Sequence, residues 1–285
     1  MTTATVTAPE AAGRVGRLAA VAGDVAERTV LRSLYSEGTL KAMRVHHLDA
    51  AVPGMAFLTI ASPGGGVLQG DRLEVGISVE RGAQLNVGTT SATRLYAMPR
   101  DAAEAITNFT VGPGAYVEFV PDPFIPFAGS RYLGRSSHIV AETGVLLAAE
   151  VVGPGRQARG ETLAYEEFRS ETEVRRPDGT LLFRDITGLC PARDLASPGL
   201  LGGWRALGVL YAIAGGLDAT VFEEALAECA GWNASAGCSD LPNSAGAWYR
   251  VLADDAPTAQ AAIAAAWRAA HRHLLGCDPP APRRY

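Results

Sequence analysis

The sequence lacks any long run of positive charge. Its 25 Lys and Arg residues are outnumbered by 30 Asp and Glu, the formal net charge is −5, and no basic run exceeds two residues. Proteins that hold a nucleic-acid backbone neutralise several phosphates with clustered Lys and Arg. We therefore expect no nucleic-acid partner.

Long hydrophobic runs are also missing. The most apolar stretch, residues 204–217, contains Arg205 and three glycines, and it is shorter than the roughly 20 apolar residues that span a bilayer. Residues 1–23 are rich in Thr and Ala and contain no continuous apolar segment of the kind that a secretory signal has. We predict a protein without a membrane partner and with a flexible N-terminal tail over residues 1–23.

Cysteine is scarce, and no two cysteines have the CxxC or related spacing of a metal site. The four are Cys190, Cys229, Cys238 and Cys277. A chain without a disulfide framework is typical of a reducing compartment, so we predict a cytoplasmic location.

Catalytic motifs are absent from the sequence. There is no Gly-x-Ser-x-Gly, no His-Glu-x-x-His, and only five histidines are available as bases. His46 and His47 would face opposite sides of a strand, and His271 and His273 lie roughly 200° apart around a helix, so neither pair can share one ion. We expect no enzyme activity and no tightly bound cofactor.

The chain does contain a glycine-rich loop, SPGGGVLQGDRL at residues 62–73, with one acid, Asp71, near its exit. The loop lacks the Gly-Lys-Ser/Thr ending of a phosphate-binding loop and leads into a strand instead of a helix, so a nucleotide site is not expected. It is either a sharp structural connection or a binding surface.

Alternating apolar and polar residues indicate half-buried strands in the middle of the chain, first at 73–79 and again at 116–120. Glycine turns separate these strands, and Asp-Gly at 178–179 indicates a hairpin. The turn glycines are spaced by 32, 30 and 35 residues: Gly82, Gly114, Gly144 and Gly179.

This spacing predicts a mainly β fold with a layered, solenoid-like β body over residues 24–199. In such a body each layer covers the apolar face of its neighbour. An ordinary antiparallel β domain with irregularly spaced turns is the alternative.

After residue 199 the composition shifts toward alanine and the apolar period changes from two to 3.6. The predicted elements are a strand over 208–214, a helix that begins with a capping box at 220–223, a strand over 247–252 and a helix over about 257–275. Residues 200–285 are therefore predicted to form a small α+β lobe with two helices, packed on the β body.

Acids stand beside the glycine loop and within apolar β segments, at Asp71, Glu118, Glu150 and Asp185. Alternation puts Glu118 on the same face as Tyr116. Such acids are most simply solvated residues of an outer face. If some of them point into a wet interior, carboxylates and water would instead hold a divalent cation loosely.

Four segments form a recognisable series. They are SPGGGVLQGD at 62–71, TSATRLY at 90–96, YVEFVP at 116–121 with FAGSRY at 127–132, and GRQARGE at 155–161. In this order they resemble the PPGG-x-x-GGD loop, the Lys/Arg-aromatic-Tyr segment, the LEWLPQ…F-x-G-A block and the GR-x-x-x-GE segment of the UreD (UreH) family of urease accessory proteins. The likeness covers about residues 40–280, with Gln69 where the family usually has glycine and Pro123 interrupting the third block.

The resemblance implies a non-catalytic maturation factor for urease, a nickel enzyme. Such a factor binds apo-urease subunits and recruits a companion accessory protein of UreF type and a nickel-carrying GTPase of UreG type. The family also implies a layered β body with an internal, water-filled route for nickel. Ni²⁺ would pass transiently, because scattered carboxylates, carbonyls and waters release an ion that imidazole and thiolate clusters would trap.

On this basis we predict two sets of functional residues. The weak transit groups for Ni²⁺ are Asp71, Glu118, Glu150, Glu161 and Asp185, of which Glu150 and Asp71 are favoured. The interaction loop and polar lining are Gly64, Gly65, Gly66, Gly70, Thr90, Ser91, Thr93, Arg94, Tyr96 and Arg156.

Two other classes of function stay open. A hydrolase without a cofactor would use Cys190 or a carboxylate pair, although the sequence shows no base for it. A carbohydrate- or protein-binding module without a metal role would need an exposed row of aromatic residues. The candidates for that row, Phe109, Tyr116, Phe119, Phe124 and Phe127, are mostly flanked by apolar residues, as core positions are.

Overall fold

The computed structural model of the protein describes residues 13–193 and 195–280. The first strands are β1 (Val15–Val25), β2 (Arg28–Gly38), β3 (Lys41–Ala42), β4 (Ala56–Ala61), β5 (Arg72–Val79), β6 (Gln84–Thr89), β7 (Thr93–Leu95) and β8 (Ala103–Val111). They are followed by β9 (Tyr116–Phe119), β10 (Phe124–Pro126), β11 (Arg131–Val140), β12 (Val145–Val152), β13 (Glu167–Arg175), β14 (Leu181–Leu189), β15 (Ala206–Ile213), β16 (Ala234–Asp240) and β17 (Gly246–Ala253). The α-helices are α1 (Glu223–Cys229) and α2 (Ala256–Leu275).

The strands form two sheets that pack face to face. The first sheet has the order β14-β13-β11-β8-β5-β1-β2. The second has the order β16-β17-β15-β12-β9-β6-β4-β3, and β10 links β7 to β12 beside it. The prediction of a mainly β, layered, solenoid-like fold with two C-terminal helices is confirmed.

The layers are successive coils of the chain. β5 leads into β6, β8 into β9 and β11 into β12, and each coil crosses from the first sheet to the second. Equivalent strands pair in parallel, for example Val79 with Val111 in the first sheet and Leu85 with Val117 in the second. The glycine spacings of 32 and 30 residues therefore each correspond to one coil.

The corners of the coils stack through turn hydrogen bonds. Gly82 and Gly114 have φ values of +72° and +66°, which glycine adopts without strain. The Gly82 N–H donates to the Pro113 carbonyl at 3.2 Å, and the Gly114 N–H donates to the Thr143 hydroxyl at 3.0 Å. Gly179 differs, because it lies in the turn of the β13–β14 hairpin within the first sheet and so starts no further coil.

Apolar side chains fill the space between the sheets. Ile77 and Phe109 of the first sheet and Leu85 and Val117 of the second belong to one cluster, and each is at most 2% exposed. Burying a side chain of this size stabilises the fold by roughly 1.5–3 kcal/mol. A second cluster lies between the outer face of the second sheet and α2, where Ile263 is buried.

The structure corrects the predicted N-terminal tail. Residues 15–23 belong to β1, which pairs with β2 in antiparallel and with β5 in parallel. Its inward residues Leu18, Ala20 and Ala22 are at most 3% exposed. Alanine is depleted in strands generally, so a strand with buried alanines gives a weak sequence signal. Residues 1–12 of the predicted tail lie outside the described residues.

The C-terminal region continues the second sheet instead of starting a separate one. β15 pairs with β12 in antiparallel, with Ala148 opposite Tyr211, and α2 packs across both strands. The Asp255 side chain caps α2 by accepting the Thr258 N–H at 2.8 Å. The first helix begins differently from the prediction, because Asp218 caps a 3-10 turn ahead of α1. Neither described helix combines the length and hydropathy needed to cross a membrane.

Candidate functional site

A cavity of about 130 Å³ lies between the two sheets, and we call it the inter-sheet cavity. Its walls come from β5, β8, β11 and β13 on one side and from β6, β9, β12 and β15 on the other. The lining is mostly apolar, so water would bind only beside the polar side chains of the walls. These polar side chains are Thr89, Thr93, Thr107, Asp122, Arg135, Ser136, His138, Glu150, Ser170, Thr172 and Tyr211.

Glu150 of β12 lies in the wall of this cavity. Its carboxylate accepts a hydrogen bond from the Ser170 hydroxyl of β13 at 2.9 Å, so it bridges the two sheets. Burial raises the pKa of Glu150 to about 7; the Ser170 hydrogen bond opposes the rise, and the negative charge of Asp185 adds to it. Near neutral pH this acid therefore exchanges between its protonated and charged forms.

Asp185 of β14 is connected to the same region. Its carboxylate accepts hydrogen bonds from the Tyr211 hydroxyl and the Arg250 guanidinium, each at 2.5 Å. Burial, followed by the charge of Asp185 and then that of Glu150, raises the pKa of Tyr211 well above its ordinary value. The structure thus makes Glu150 and Asp185, which are 35 residues apart in sequence, electrostatic neighbours through Tyr211.

Other polar residues of the cavity were not predicted. The Thr89 hydroxyl donates to the Asp122 carboxylate at 3.1 Å and accepts the Asp122 N–H at 2.8 Å. The buried His138 accepts the Phe109 N–H on Nδ1 at 3.2 Å, and burial lowers the pKa of His138 to about 4, so its ring is neutral near pH 7. Ser136 and His138 are two residues apart in β11, and this polar alternation is the signal that could have indicated a wet face.

Of the threonines and the serine predicted as polar lining, only one lies at the inter-sheet cavity. Thr93 lines the inter-sheet cavity. Thr90 and Ser91 are exposed in the connection between β6 and β7 and do not line it.

Asp71 anchors the chain outside the cavity. It is 2% exposed, and its carboxylate accepts hydrogen bonds from the Arg14 main-chain N–H at 2.8 Å, the Arg14 guanidinium at 2.6 Å and the Leu68 N–H at 2.9 Å. Burial alone would raise the pKa of Asp71, but the Arg14 and backbone hydrogen bonds together outweigh it and lower the pKa. Asp71 therefore ties the glycine loop to the start of β1, and its oxygens are already engaged.

The glycine loop packs against two residues of the second predicted set. The Gly65 carbonyl lies 3.5 Å from the Arg94 guanidinium and 3.4 Å from the Tyr96 hydroxyl, and both donate to it. Gly66 has φ +148°, and a Cβ there would lie 2.5 Å from the Tyr96 ring. A Cβ on Gly64 would lie 2.6 Å from the Arg14 guanidinium. Gly66 requires glycine because of its positive φ and because the Arg94 carbonyl would lie 2.7 Å from a Cβ, whereas the Arg14 side chain beside Gly64 can move.

The contact continues across the surface to Arg156. Tyr96 packs edge-on against Phe127, with ring centroids 5.0 Å apart, and the Arg156 guanidinium lies 4.1 Å from the centroid of the Phe127 ring. We call the surface formed by 64–66, Arg94, Tyr96 and Arg156 the loop patch. Gly70, with φ +74°, lies at the loop exit outside this patch.

Glu161 belongs beside the loop patch and not in the cavity. Its carboxylate forms a two-pronged ion pair with the Arg156 guanidinium and accepts the Ala128 N–H at 3.1 Å. The Arg156 hydrogen bonds, together with the Ala128 N–H, lower the pKa of Glu161. Glu161 therefore positions Arg156 on the surface.

Glu118 is fully buried on the face of the second sheet that is opposite the cavity. It accepts hydrogen bonds from the Tyr116 hydroxyl at 2.7 Å and the Asn86 side-chain amide at 2.6 Å. Its Oε1 lies 2.6 Å from Nδ1 of His271 in α2. Glu118 does share a face with Tyr116 as predicted, but this face packs against α2, so Glu118 is separated from the inter-sheet cavity.

The described part of the chain shows neither a base beside Cys190 nor an exposed aromatic row. No histidine or carboxylate there forms a hydrogen bond with the Cys190 thiol, which is partly buried. The aromatic candidates for a binding row are buried at Phe109, Tyr116 and Phe127 and partly buried at Phe119 and Phe124.

Comparison with known proteins agrees with the motif series. Residues 14–285 match the family model described as UreD urease accessory protein. The chain is 36% identical over 279 residues to Urease accessory protein UreD 2 of Streptomyces griseus subsp. griseus, covering 96% of this chain and 94% of that protein. It is 40% identical over 228 residues to Urease accessory protein UreD of Haloarcula marismortui (79% and 76% covered) and 33% identical over 246 residues to that of Cenarchaeum symbiosum (84% and 86%). The chain therefore belongs to the UreD family of urease accessory proteins.

Proposed function

We propose that this protein assists urease maturation by binding apo-urease and giving Ni²⁺ a passage through the inter-sheet cavity. The names of its relatives support a role in urease maturation. The observation that carries the route is Glu150, an acid among the polar side chains in the wall of the inter-sheet cavity. In this proposal Ni²⁺ is cargo, the chain catalyses no reaction, and the inter-sheet cavity holds no resident cofactor. Its cytoplasmic location stays a prediction.

The chemistry of the cavity favours weak and exchangeable binding. Carboxylate and hydroxyl oxygens bind Ni²⁺ less tightly than imidazole and thiolate do. His138 is the imidazole at the wall, and its Nδ1 is already occupied by the Phe109 N–H. Because the pKa of Glu150 is about 7, an arriving ion displaces a proton at little cost, and a returning proton helps to release the ion. Passage requires both easy entry and easy release.

The loop patch is the surface that we propose for partner binding. Arginine and tyrosine are enriched among the residues that dominate binding energy at protein interfaces. Here Arg94 and Tyr96 are held by the Gly65 carbonyl, and Arg156 is held by Glu161 and Phe127. The partners in this proposal are apo-urease and a companion accessory protein of UreF type, which brings a nickel-carrying GTPase of UreG type.

The route is tested by a Glu150→Gln variant co-expressed with urease and the other accessory proteins. Glutamine keeps the size and a hydrogen bond to Ser170 but cannot carry the charge. We expect several-fold less nickel per purified urease, measured by mass spectrometry of the metal, and an unchanged elution of the assembly from a sizing column. The matched control is Glu142→Gln, whose side chain is 83% exposed on the turn before β12, and it should leave the nickel content unchanged.

The nickel route and the partner-binding surface can be tested separately. Full nickel occupancy with the Glu150→Gln variant would remove Glu150 from the route while leaving the role in assembly intact. An Arg94→Glu variant tests the loop patch, because it should lose co-purification with apo-urease or with the companion protein. Unchanged co-purification with both would assign partner binding to another surface.

A further inference from the structure

Three side chains from distant parts of the sequence converge beneath the end of α2. Asp49 lies in the segment before β4, His271 lies near the end of α2, and Cys277 follows the helix stop at Gly276. One carboxylate oxygen of Asp49, one ring nitrogen of His271 and the Cys277 sulfur all lie within 4.8 Å of one another. We call these three residues the Asp49 cluster.

Asp49 has a buried oxygen that is not paired. The residue is 6% exposed, and its Oδ1 accepts the Ala51 N–H at 2.8 Å, which holds the side chain in a local turn. Its Oδ2 has no hydrogen-bond partner among residues 13–193 and 195–280. A buried carboxylate oxygen without a donor or a cation is costly. Nitrogen and sulfur atoms beside it, arranged as possible ligands, point to a cation.

His271 is oriented so that its second nitrogen faces the cluster. The ring is fully buried, and its Nδ1 lies 2.6 Å from Oε1 of Glu118. A charged carboxylate can only accept hydrogen bonds, so beside a charged Glu118 the neutral imidazole is assigned the tautomer with the proton on Nδ1 and the lone pair on Nε2. Nε2 lies 3.9 Å from the Cys277 sulfur. A carboxylate behind a histidine is the usual way in which proteins orient an imidazole ligand for a metal.

The local charge also favours a cation. Asp49 and Glu118 place two carboxylates around His271. The basic residue of the same helix turn, Arg272, is directed to Asp278 at 2.7 Å and to Glu224 at 2.8 Å, and these pairs lie at the surface. No hydrogen bond of Arg272 in the described structure reaches the cluster.

We propose that Asp49, His271 and Cys277 bind one divalent transition-metal ion through a carboxylate oxygen, Nε2 and Sγ. In a tetrahedral site, metal bonds of the usual lengths place a ligating nitrogen and sulfur about 3.6 Å apart. The 3.9 Å separation of His271 Nε2 and Cys277 Sγ is close to this value. One thiolate, one imidazole and one carboxylate suit ions of Zn²⁺, Co²⁺ or Ni²⁺ class and not Mg²⁺ or Ca²⁺.

This site is separate from the proposed nickel route. Glu118 and Tyr116 project to the α2 side of β9, whereas Val117 and Phe119 project toward the first sheet. A surface groove lined by Arg28, His47 and Pro53 borders Asp49, and it is separate from the inter-sheet cavity. The inference therefore stands or falls independently of the proposed function.

A competing interpretation is a metal-free buried pair of His271 and Glu118, in which the Cys277 thiol hydrogen-bonds to Nε2 of His271 at 3.9 Å. The two interpretations differ in what the thiol does. A metal site requires Cys277 as a thiolate ligand, while the metal-free pair keeps it as a protonated thiol.

The test uses the purified full chain after treatment with a chelator, with Co²⁺ as the spectroscopic probe and Zn²⁺ as the affinity probe. We expect one equivalent of Co²⁺ to produce a thiolate-to-cobalt charge-transfer band, which Zn²⁺ removes by displacement. A Cys277→Ser variant should lose the band. It should also bind Zn²⁺ about a hundredfold more weakly in competition with a chromophoric chelator. Loss of a residue that only orients a ligand lowers metal affinity by roughly 10–100-fold, and loss of the ligand itself should lower it at least as much.

The matched control is Cys190→Ser, which removes another partly buried cysteine away from the cluster. It should keep the band and the Zn²⁺ affinity. A Glu118→Gln variant should keep the band and weaken Zn²⁺ binding by about tenfold, because Glu118 orients His271 without touching the ion. A band that survives in Cys277→Ser, or the absence of any band in the wild-type chain, would overturn the proposal.

A second measurement does not depend on a folded variant. In the wild-type chain, Zn²⁺ should slow alkylation of Cys277 relative to Cys190 and Cys238, as read by mass spectrometry of the peptides. Equal rates at Cys277 with and without Zn²⁺ would overturn the metal site even if the serine variant failed to fold.

Discussion

The two faces of the second sheet carry polar groups that are arranged in opposite ways. Toward the first sheet, carboxylates and hydroxyls are spread over the mostly apolar walls of the inter-sheet cavity, and burial raises the pKa of Glu150 to about 7. Toward α2, the Asp49 cluster brings three different ligand atoms within 4.8 Å. In our proposals the first face passes an ion and the second retains one. In these proposals the convergence of ligand atoms, and not the number of acids, determines whether an ion is held.

The largest expected effect is on the α2 side. Replacing His271 by alanine removes one of three hydrogen-bond partners of the buried Glu118 and leaves Tyr116 and Asn86, and breaking a buried pair in this way costs up to about 3–5 kcal/mol. The free energy of unfolding in urea should fall by that amount. His273→Ala is the control, because His273 is exposed on the same helix, and a change there should stay within about 0.5 kcal/mol. Equal effects at both positions would contradict the buried network.

Next in size is stabilisation by a metal. A site that holds Zn²⁺ stabilises the folded chain by about 2.7 kcal/mol when free Zn²⁺ is about 100 times the dissociation constant. We expect this shift in urea unfolding for the wild-type chain and not for Cys277→Ser. If both proteins gained the same stability, Zn²⁺ would be bound elsewhere and the contrast between the two faces would fail.

On the cavity side, we expect the free energy of unfolding to depend on pH through Glu150. The pKa of Glu150 is raised from 4.5 to about 7 in the folded protein, so the folded state binds more protons between these values and stability falls as pH rises through that window. A Glu150→Gln variant lacks this penalty. Its stability relative to the wild-type chain should therefore increase by about 2 kcal/mol between pH 5 and pH 8, measured by urea unfolding. A constant difference across this range would show that Glu150 keeps an ordinary pKa.

The smallest expected effect concerns Ni²⁺ in the cavity. A weak site stabilises a protein by only about 0.4 kcal/mol when the ion is present at its dissociation constant. In the Cys277→Ser background, which removes the competing cluster, millimolar Ni²⁺ should therefore change the midpoint of thermal unfolding very little. A stabilisation as large as that of Zn²⁺ on the wild-type chain would mean that the cavity holds nickel tightly and is no route.

The coiled body could be predicted because its signals are local. Alternation in residues 73–79 and glycine at positions 82 and 114 each specify a strand or a turn without reference to distant residues. β1 was not predicted, because its alanine-rich sequence is similar in composition to a flexible tail. The true partner of Asp71 was missed for the same reason, since Arg14 lies in that stretch.

The functional acids were predicted as residues but not as a group. Glu150 was chosen from its apolar neighbours, and the structure does place it in the cavity wall. Glu118, Glu161 and Asp71 have other partners, namely His271, Arg156 and Arg14. Each of these partners comes from another element or loop position, and the spacing of acids along the chain contains no information about them.

Residue order alone was enough to establish the family, the strand-and-turn period of the coils and the second helix, because these depend on neighbouring residues and on motif order. Which face of a strand lines the inter-sheet cavity, and which side chains lie beside each acid, was decided by how the coils and α2 pack. Asp49 and His271 are 222 residues apart, and they meet because β9, with Glu118 on its outer face, lies beneath the end of α2. Contacts of this kind arise from the packing of whole elements, and so no local pattern can report them.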